Sequence, residues 1–111
     1  MDVKEIPAVI EGELMTRPAD YAKICGGYTS DLLSDVMGNA AEGDVLITIQ
    51  AHKNTVAVAQ LVGIPAIILC NGRKGGQDMI ALAEQENIAI IGTKLNQFSV
   101  SHLLGTALDK G

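Results

Sequence analysis

The chain is 111 residues long, with hydrophobic residues at 48% and aromatics at 3%. That is the size of one domain with one core of Ala, Val, Ile and Leu, thin side chains suited to layered α/β packing. A net charge of −5 argues against nucleic acid and against an anionic membrane surface, because a basic patch would supply most of either affinity.

In chain order, Ile6-Pro7-Ala8-Val9-Ile10 reads as a short strand, with Pro7 tolerated near its start or on an edge. Residues 11–20 read as a turn and loop or an irregular edge. Ala22-Lys23-Ile24-Cys25 reads as a further strand and Gly26-Gly27-Tyr28 as a sharp break. Thr29 or Ser30 then caps a helix, with Asp31 placed to favour the positive end of its dipole. Its apolar stripe is Leu32, Leu33, Val36, Met37 and Ala40, weakened slightly by Gly38.

The pattern is clearest from Asp44 onward. Val45-Leu46-Ile47-Thr48-Ile49 is a continuous β-rich run, as expected of a strand covered on both faces. Gln50 to Asn54 turn the chain, and Asn54 or Thr55 caps a helix bearing Val58, Leu61 and Val62 that stops at Gly63. Ala66-Ile67-Ile68-Leu69 is the next strand, followed by the turn Cys70-Asn71-Gly72-Arg73-Lys74-Gly75-Gly76. A helix over residues 77–86 carries Met79, Leu82 and Ala83, with Asn87 as its stop. Ile88-Ala89-Ile90-Ile91 is a third strand, ended by Gly92-Thr93. Asn96 or Ser99 starts the last helix, whose apolar face is Val100, Leu103, Leu104, Ala107 and Leu108.

Strands alternating with helices imply parallel pairing with right-handed crossovers. The expected architecture is an α/β three-layer sandwich: a mostly parallel central sheet of about four to five strands with helices on both faces, in a single domain over residues 1–111. Cys25 and Cys70 make neither a disulfide framework nor a zinc spacing and read as core thiols. The N-terminus lacks the basic and apolar regions of a signal peptide, no apolar run approaches the ~20 residues of a membrane span, and the expected location is cytoplasmic.

Ligands of open parallel sheets bind beyond the carboxyl ends of the strands. The turns expected there hold the candidate ligand-binding residues: Thr29, Ser30, Gln50, His52, Asn54, Asn71, Gly72 and Arg73. Gly92-Thr93-Lys94 is a further candidate turn. Lys53, Arg73 and Lys74 are three of only 8 basic residues, and backbone N–H groups at helix starts favour anions; the plainer reading is solvated loop cations. Neither a P-loop nor a dinucleotide fingerprint is present. His52 is the residue a catalytic reading selects, but no spacing ties it to Ser30, Ser34, Asp31 or Asp35, so it is read as a turn or ligand contact and no catalytic residue is assigned. His102 reads as structural or interfacial. Asp31 and Asp35 lie one helical turn apart and read as dipole compensation rather than a metal site.

Two blocks carry a resemblance. Gly27-Tyr28-Thr29-Ser30-Asp31-Leu32-Leu33-Ser34-Asp35-Val36-Met37 resembles the Gly-Asp-Leu-Leu-Ser-Asp-Val-Met segment of stand-alone DRTGG-domain proteins, and Thr48 to Ala59 is similar to their next block. Cys70-Asn71-Gly72-Arg73 stands where that family has Thr-Gly-Gly, so the family's threonine is missing. The resemblance extends from about Ile6 onward. It implies a regulatory or accessory domain, of the kind fused to CBS-pair pyrophosphatases and phosphotransacetylases and labelled HPr-kinase-like, with homodimers among its relatives and stand-alone copies encoded near iron-only hydrogenases. The expectation is a non-catalytic sensing domain for a small, anionic, nucleotide-like ligand, cofactor unknown. The alternatives are a structural adaptor for a larger, hydrogenase-associated enzyme partner, and a phosphotransfer or hydrolytic enzyme using His52.

Overall fold

A computed structural model of the chain describes residues 1–17 and 22–110. Five strands form one sheet: β1 (Gly12–Leu14), β2 (Gly26–Thr29), β3 (Asp44–Thr48), β4 (Ala66–Leu69) and β5 (Ala89–Thr93), in the order β1-β5-β4-β3-β2. The four strands β2 to β5 are parallel, in registers such as Leu46 opposite Ile67 and Ile67 opposite Ile90. β1 alone is antiparallel, with Gly12 opposite Thr93.

Side chains alternate across a strand, and the runs read as doubly covered strands divide accordingly. Val45, Ile47, Ala66, Ile68, Ala89 and Ile91 enter one core, together with Ile6 and Ile10 from the N-terminal segment and Val100 and Leu104 from α5 (Gln97–Lys110). Leu46, Ile67, Leu69 and Ile90 enter the other. That core is covered by α2 (Leu33–Asn39), α3 (Lys53–Val62) and α4 (Gln77–Gln85), through Val36, Val56, Ala59, Met79 and Ala83. Helices therefore lie on both faces of a mostly parallel five-stranded sheet.

The largest departure from expectation is at the N-terminus. Residues 6–10 are not a strand. Val3–Glu5 is a 3-10 turn continuing into a short helix, α1 (Ile6–Val9), with Pro7 in its first turn, where a missing N–H costs nothing. Ile6 and Ile10 are spaced one helical turn apart and both are buried. Within residues 11–20 an antiparallel edge strand forms, while 18–20 lie outside the described residues.

The second departure is at the other edge. Lys23 makes only an isolated bridge to Asp2, and the strand is Gly26–Thr29, where a break was expected. Glycine suits this strand because a Cβ on Gly26 would stand 2.9 Å from the Asp44 carboxylate. Smaller shifts follow from backbone geometry. α2 starts after Leu32, whose N–H donates to Ser30 Oγ, so Ser30 acts two residues before the N-cap position instead of occupying it. α3 starts after His52, and Thr55 donates to the Gln50 carbonyl at 2.8 Å. Gly63 ends α3 at φ +92°, as a C-terminal glycine stop requires. Leu61, placed on the apolar face by spacing, is 72% exposed. Asn96 accepts from the Ser99 N–H and caps α5. Among the described residues, no helix is long and apolar enough to cross a membrane.

Candidate functional site

Parallel pairing of β2 to β5 brings their carboxyl ends, and the turns that follow, to one edge of the molecule. The candidate residues separate there into two neighbourhoods.

The first is organised by Asp31. Its Oδ1 accepts from Thr48 Oγ1 (2.9 Å), the Ile49 N–H (3.0 Å) and Gln97 Nε2 (2.9 Å). Its carbonyl accepts from Gln50 Nε2, and the Gln50 N–H donates to Thr48 Oγ1. Thr29 and Ser101 share a hydrogen bond between hydroxyls at 2.7 Å. Thr29, Ser30 and Gln50 are thus held beside one another, tying β2, β3 and α5 together. Asp31 does not serve the α2 dipole as expected: it precedes the helix and fastens neighbouring strand ends. Asp35 is the acid of the first turn of α2. Tyr28 donates to it at 2.9 Å, and that bond, followed by Ser30 and Asn39, holds its carboxyl below the usual carboxylate range while raising the Tyr28 phenol.

These partners bear on the catalytic alternative. The hydrogen-bond partners of the Asp31 and Asp35 carboxylates are Thr48, Ile49, Gln97, Tyr28, Ser30 and Asn39, and neither carboxylate orients His52. His52 and Asn54 sit exposed at the start of α3, and Asn54 borders a shallow groove shared with Asp78, Leu82 and Gln85 of α4. Cys70 is fully buried, and burial, with Asp31 as a lesser cause, pushes its thiol up to about 11. A neutral thiol is a poor nucleophile. Among the described residues, no group of three or more His, Cys, Asp and Glu gathers as a metal site would require.

The second neighbourhood is a cleft of about 480 Å³ between the β4–α4 turn, the β5–α5 turn and β1. Gly72, Arg73 and Lys74 form one wall and Gly92, Thr93, Lys94 and Leu95 another. Glu11, Gly12, Glu13 and Met15 close the third side. The β4–α4 turn is pinned rather than loose. The Asn71 N–H donates to the Leu95 carbonyl and the Gly72 N–H to Thr93, each at 2.9 Å. Asn71 and Gly72 take successive left-handed conformations at φ +60° and +69°, an arrangement open to Asn and Gly and strained for most residues. Of the expected site, Gly72 and Arg73 line this cleft; Thr29, Ser30, Gln50, His52, Asn54 and Asn71 do not. Lys74, Lys94, Glu11 and Glu13 were not in the expected set. The expected turn Gly92-Thr93-Lys94 included Lys94, although Gly92 and Thr93 continue β5 instead of ending it. Glu13 lies on an antiparallel edge strand that no periodicity revealed, and Glu11 just before it.

No protein-family model and no curated protein matches the chain. Among solved structures, it is similar to the CBS and DRTGG domains of the regulatory region of Clostridium perfringens pyrophosphatase, a structure complexed with the activator diadenosine tetraphosphate. The TM-score is 0.73 at 18% identity over 92% of this chain. The fold is DRTGG-like. The match spans 45% of that larger structure, so this chain corresponds to less than half of it.

Proposed function

We propose that this DRTGG-like chain is a non-catalytic regulatory or sensing domain that binds a small, anionic, nucleotide-like ligand at the strand-to-helix turns. The observation that carries this reading is the gathering of Arg73, Lys74 and Lys94 from two turns around one cleft, on a chain with a net charge of −5. Cations so concentrated on an acidic protein focus potential toward an incoming anion. The nucleotide activator bound to the C. perfringens region is consistent with it. Thr29, Ser30, Gln50, His52 and Asn54 are assigned to the flank of the same edge, where an extended ligand would reach them.

A thermal-shift screen of nucleotides and anionic metabolites tests the reading. At 100 times its Kd a ligand adds about 2.7 kcal/mol, and a domain of this size then melts roughly 10 °C higher. A panel in which no compound moves the transition contradicts sensing.

A structural adaptor is the second reading, favoured by Leu32, Met37, Leu61 and Phe98, which are 53–83% exposed. In both readings we place the protein in the cytoplasm as a homodimer. Sedimentation at micromolar concentration checks the dimer, and pull-down with Phe98→Ser checks the adaptor: a partner lost with Phe98 but retained with Arg73→Ala belongs to the second reading.

A further inference from the structure

The cleft beside β1 is not a simple anion hole. Its cations come from the two turns, Arg73 and Lys74 on one and Lys94 on the other. Its carboxylates, Glu11 and Glu13, come from the opposite wall, at the start of β1 and within it. Among the described residues, no ion pair joins either glutamate to any of these cations. The apolar part of the lining is Met15 and Leu95. A bare anion is held back by carboxylates that line the same cleft as its cations, since like charges in a partly enclosed site repel. Carboxylates accept hydrogen bonds and donate none. The lining is therefore complementary to a molecule that carries an acidic group, hydroxyl donors and a planar or apolar portion, each set against its own part of the cleft.

The backbone fixes this polarity. Gly12 and Gly92 allow β1 to lie close on β5: a Cβ on Gly12 would stand 2.9 Å from Ile91 Cγ2, and one on Gly92 would collide with Met15 Cε. Glu11 itself holds a left-handed conformation at φ +53°, which is uncommon outside glycine. It leads the chain from α1 into β1 and sets the acidic wall opposite the pinned turn at Asn71-Gly72.

We infer that the cleft takes a nucleoside monophosphate: its phosphate against Arg73, Lys74 and Lys94, its ribose hydroxyls donating to Glu11 and Glu13, and its base beside Met15 and Leu95. This deepens the sensing reading and rests on it. A volume of about 480 Å³ falls within the range of small-molecule sites, and a carboxylate accepting from ribose hydroxyls is a common mode of nucleotide recognition.

Calorimetric titration of the full chain with AMP, UMP, adenosine and inorganic phosphate separates the parts. A nucleoside monophosphate binds at least tenfold more tightly than either phosphate or adenosine. Arg73→Ala with Lys94→Ala weakens it tenfold or more. Glu11→Gln with Glu13→Gln weakens it several-fold while leaving phosphate unchanged or tighter, which mere loss of folding would not do; circular dichroism confirms that each variant is folded. Phosphate binding as tightly as AMP or UMP overturns the inference, and so does nucleotide affinity unaffected by the glutamine pair. If neither AMP nor UMP binds but another anionic metabolite raises the melting temperature in an Arg73-dependent manner, the nucleotide inference fails and the sensing reading stands. If nothing anionic binds, both fail.

Discussion

Asp31 shows how one side chain can act at long range. Its carboxylate joins the end of β3 to the start of α5, through Thr48, Ile49 and Gln97. In the sequence it stands just before an apolar helical stripe, so local reasoning gave it to the helix dipole. The partners that decide its role lie 17, 18 and 66 residues away, beyond the reach of any spacing rule. Asp31→Ala should destabilise the chain by about 2–3 kcal/mol, because it leaves three donors, one on buried Thr48, without their acceptor; urea unfolding measures it. Cys70 gives a pH signature. Its thiol titrates at about 11 in the folded chain against an ordinary value of 9.0, so the folded state keeps a proton that the unfolded chain releases. Stability from this group is full below pH 9 and falls as pH rises toward 11. Subtracting the unfolding profile of Cys70→Ala from that of the native chain should reveal the fall. At pH 7.5 iodoacetamide should modify exposed Cys25 and spare Cys70, as mass spectrometry will record.

At the scale of elements, legibility followed length and context. β4 lies where the apolar run placed it, and α3 and α4 end one and two residues before the expected stops at Gly63 and Asn87, because a glycine or asparagine in the left-handed region leaves a local mark. Residues 6–10 misled because five apolar residues fit a strand or a buried helical turn equally well, and Pro7 is compatible with both. The strand at Gly26–Thr29 escaped because glycine weakens any strand pattern; here it is accepted for close approach to Asp44. Two substitutions test the terminal chemistry. Gly63→Ala should cost about 1–2 kcal/mol, since a Cβ would be strained at φ +92° and stand 2.9 Å from Glu42 Cγ. Asn96→Ala should cost about 1 kcal/mol by removing the cap on the Ser99 N–H. Thermal unfolding ranks the pair.

For the whole molecule, alternation of strand and helix dictated a parallel sheet, and the sheet dictated that its turns gather at one edge. The sequence therefore pointed to the edge where these turns gather without separating its two neighbourhoods. Thr29, Ser30 and Gln50 are engaged in fastening β2, β3 and α5, whereas Gly72 and Arg73 face a cleft. The acidic wall of that cleft depends on β1, an edge strand of three residues too short to carry a pattern. The proposed anionic ligand binds at the carboxyl edge of the sheet. Amide chemical-shift mapping during titration with AMP and with the strongest ligand from the thermal screen tests it most directly. Shifts should concentrate at residues 71–76 and 92–96, with smaller ones at 11–15 and 49–54. Shifts confined to the outer faces of α3 and α5, around Leu61 and Phe98, or no saturable shifts with any anionic ligand, would contradict it.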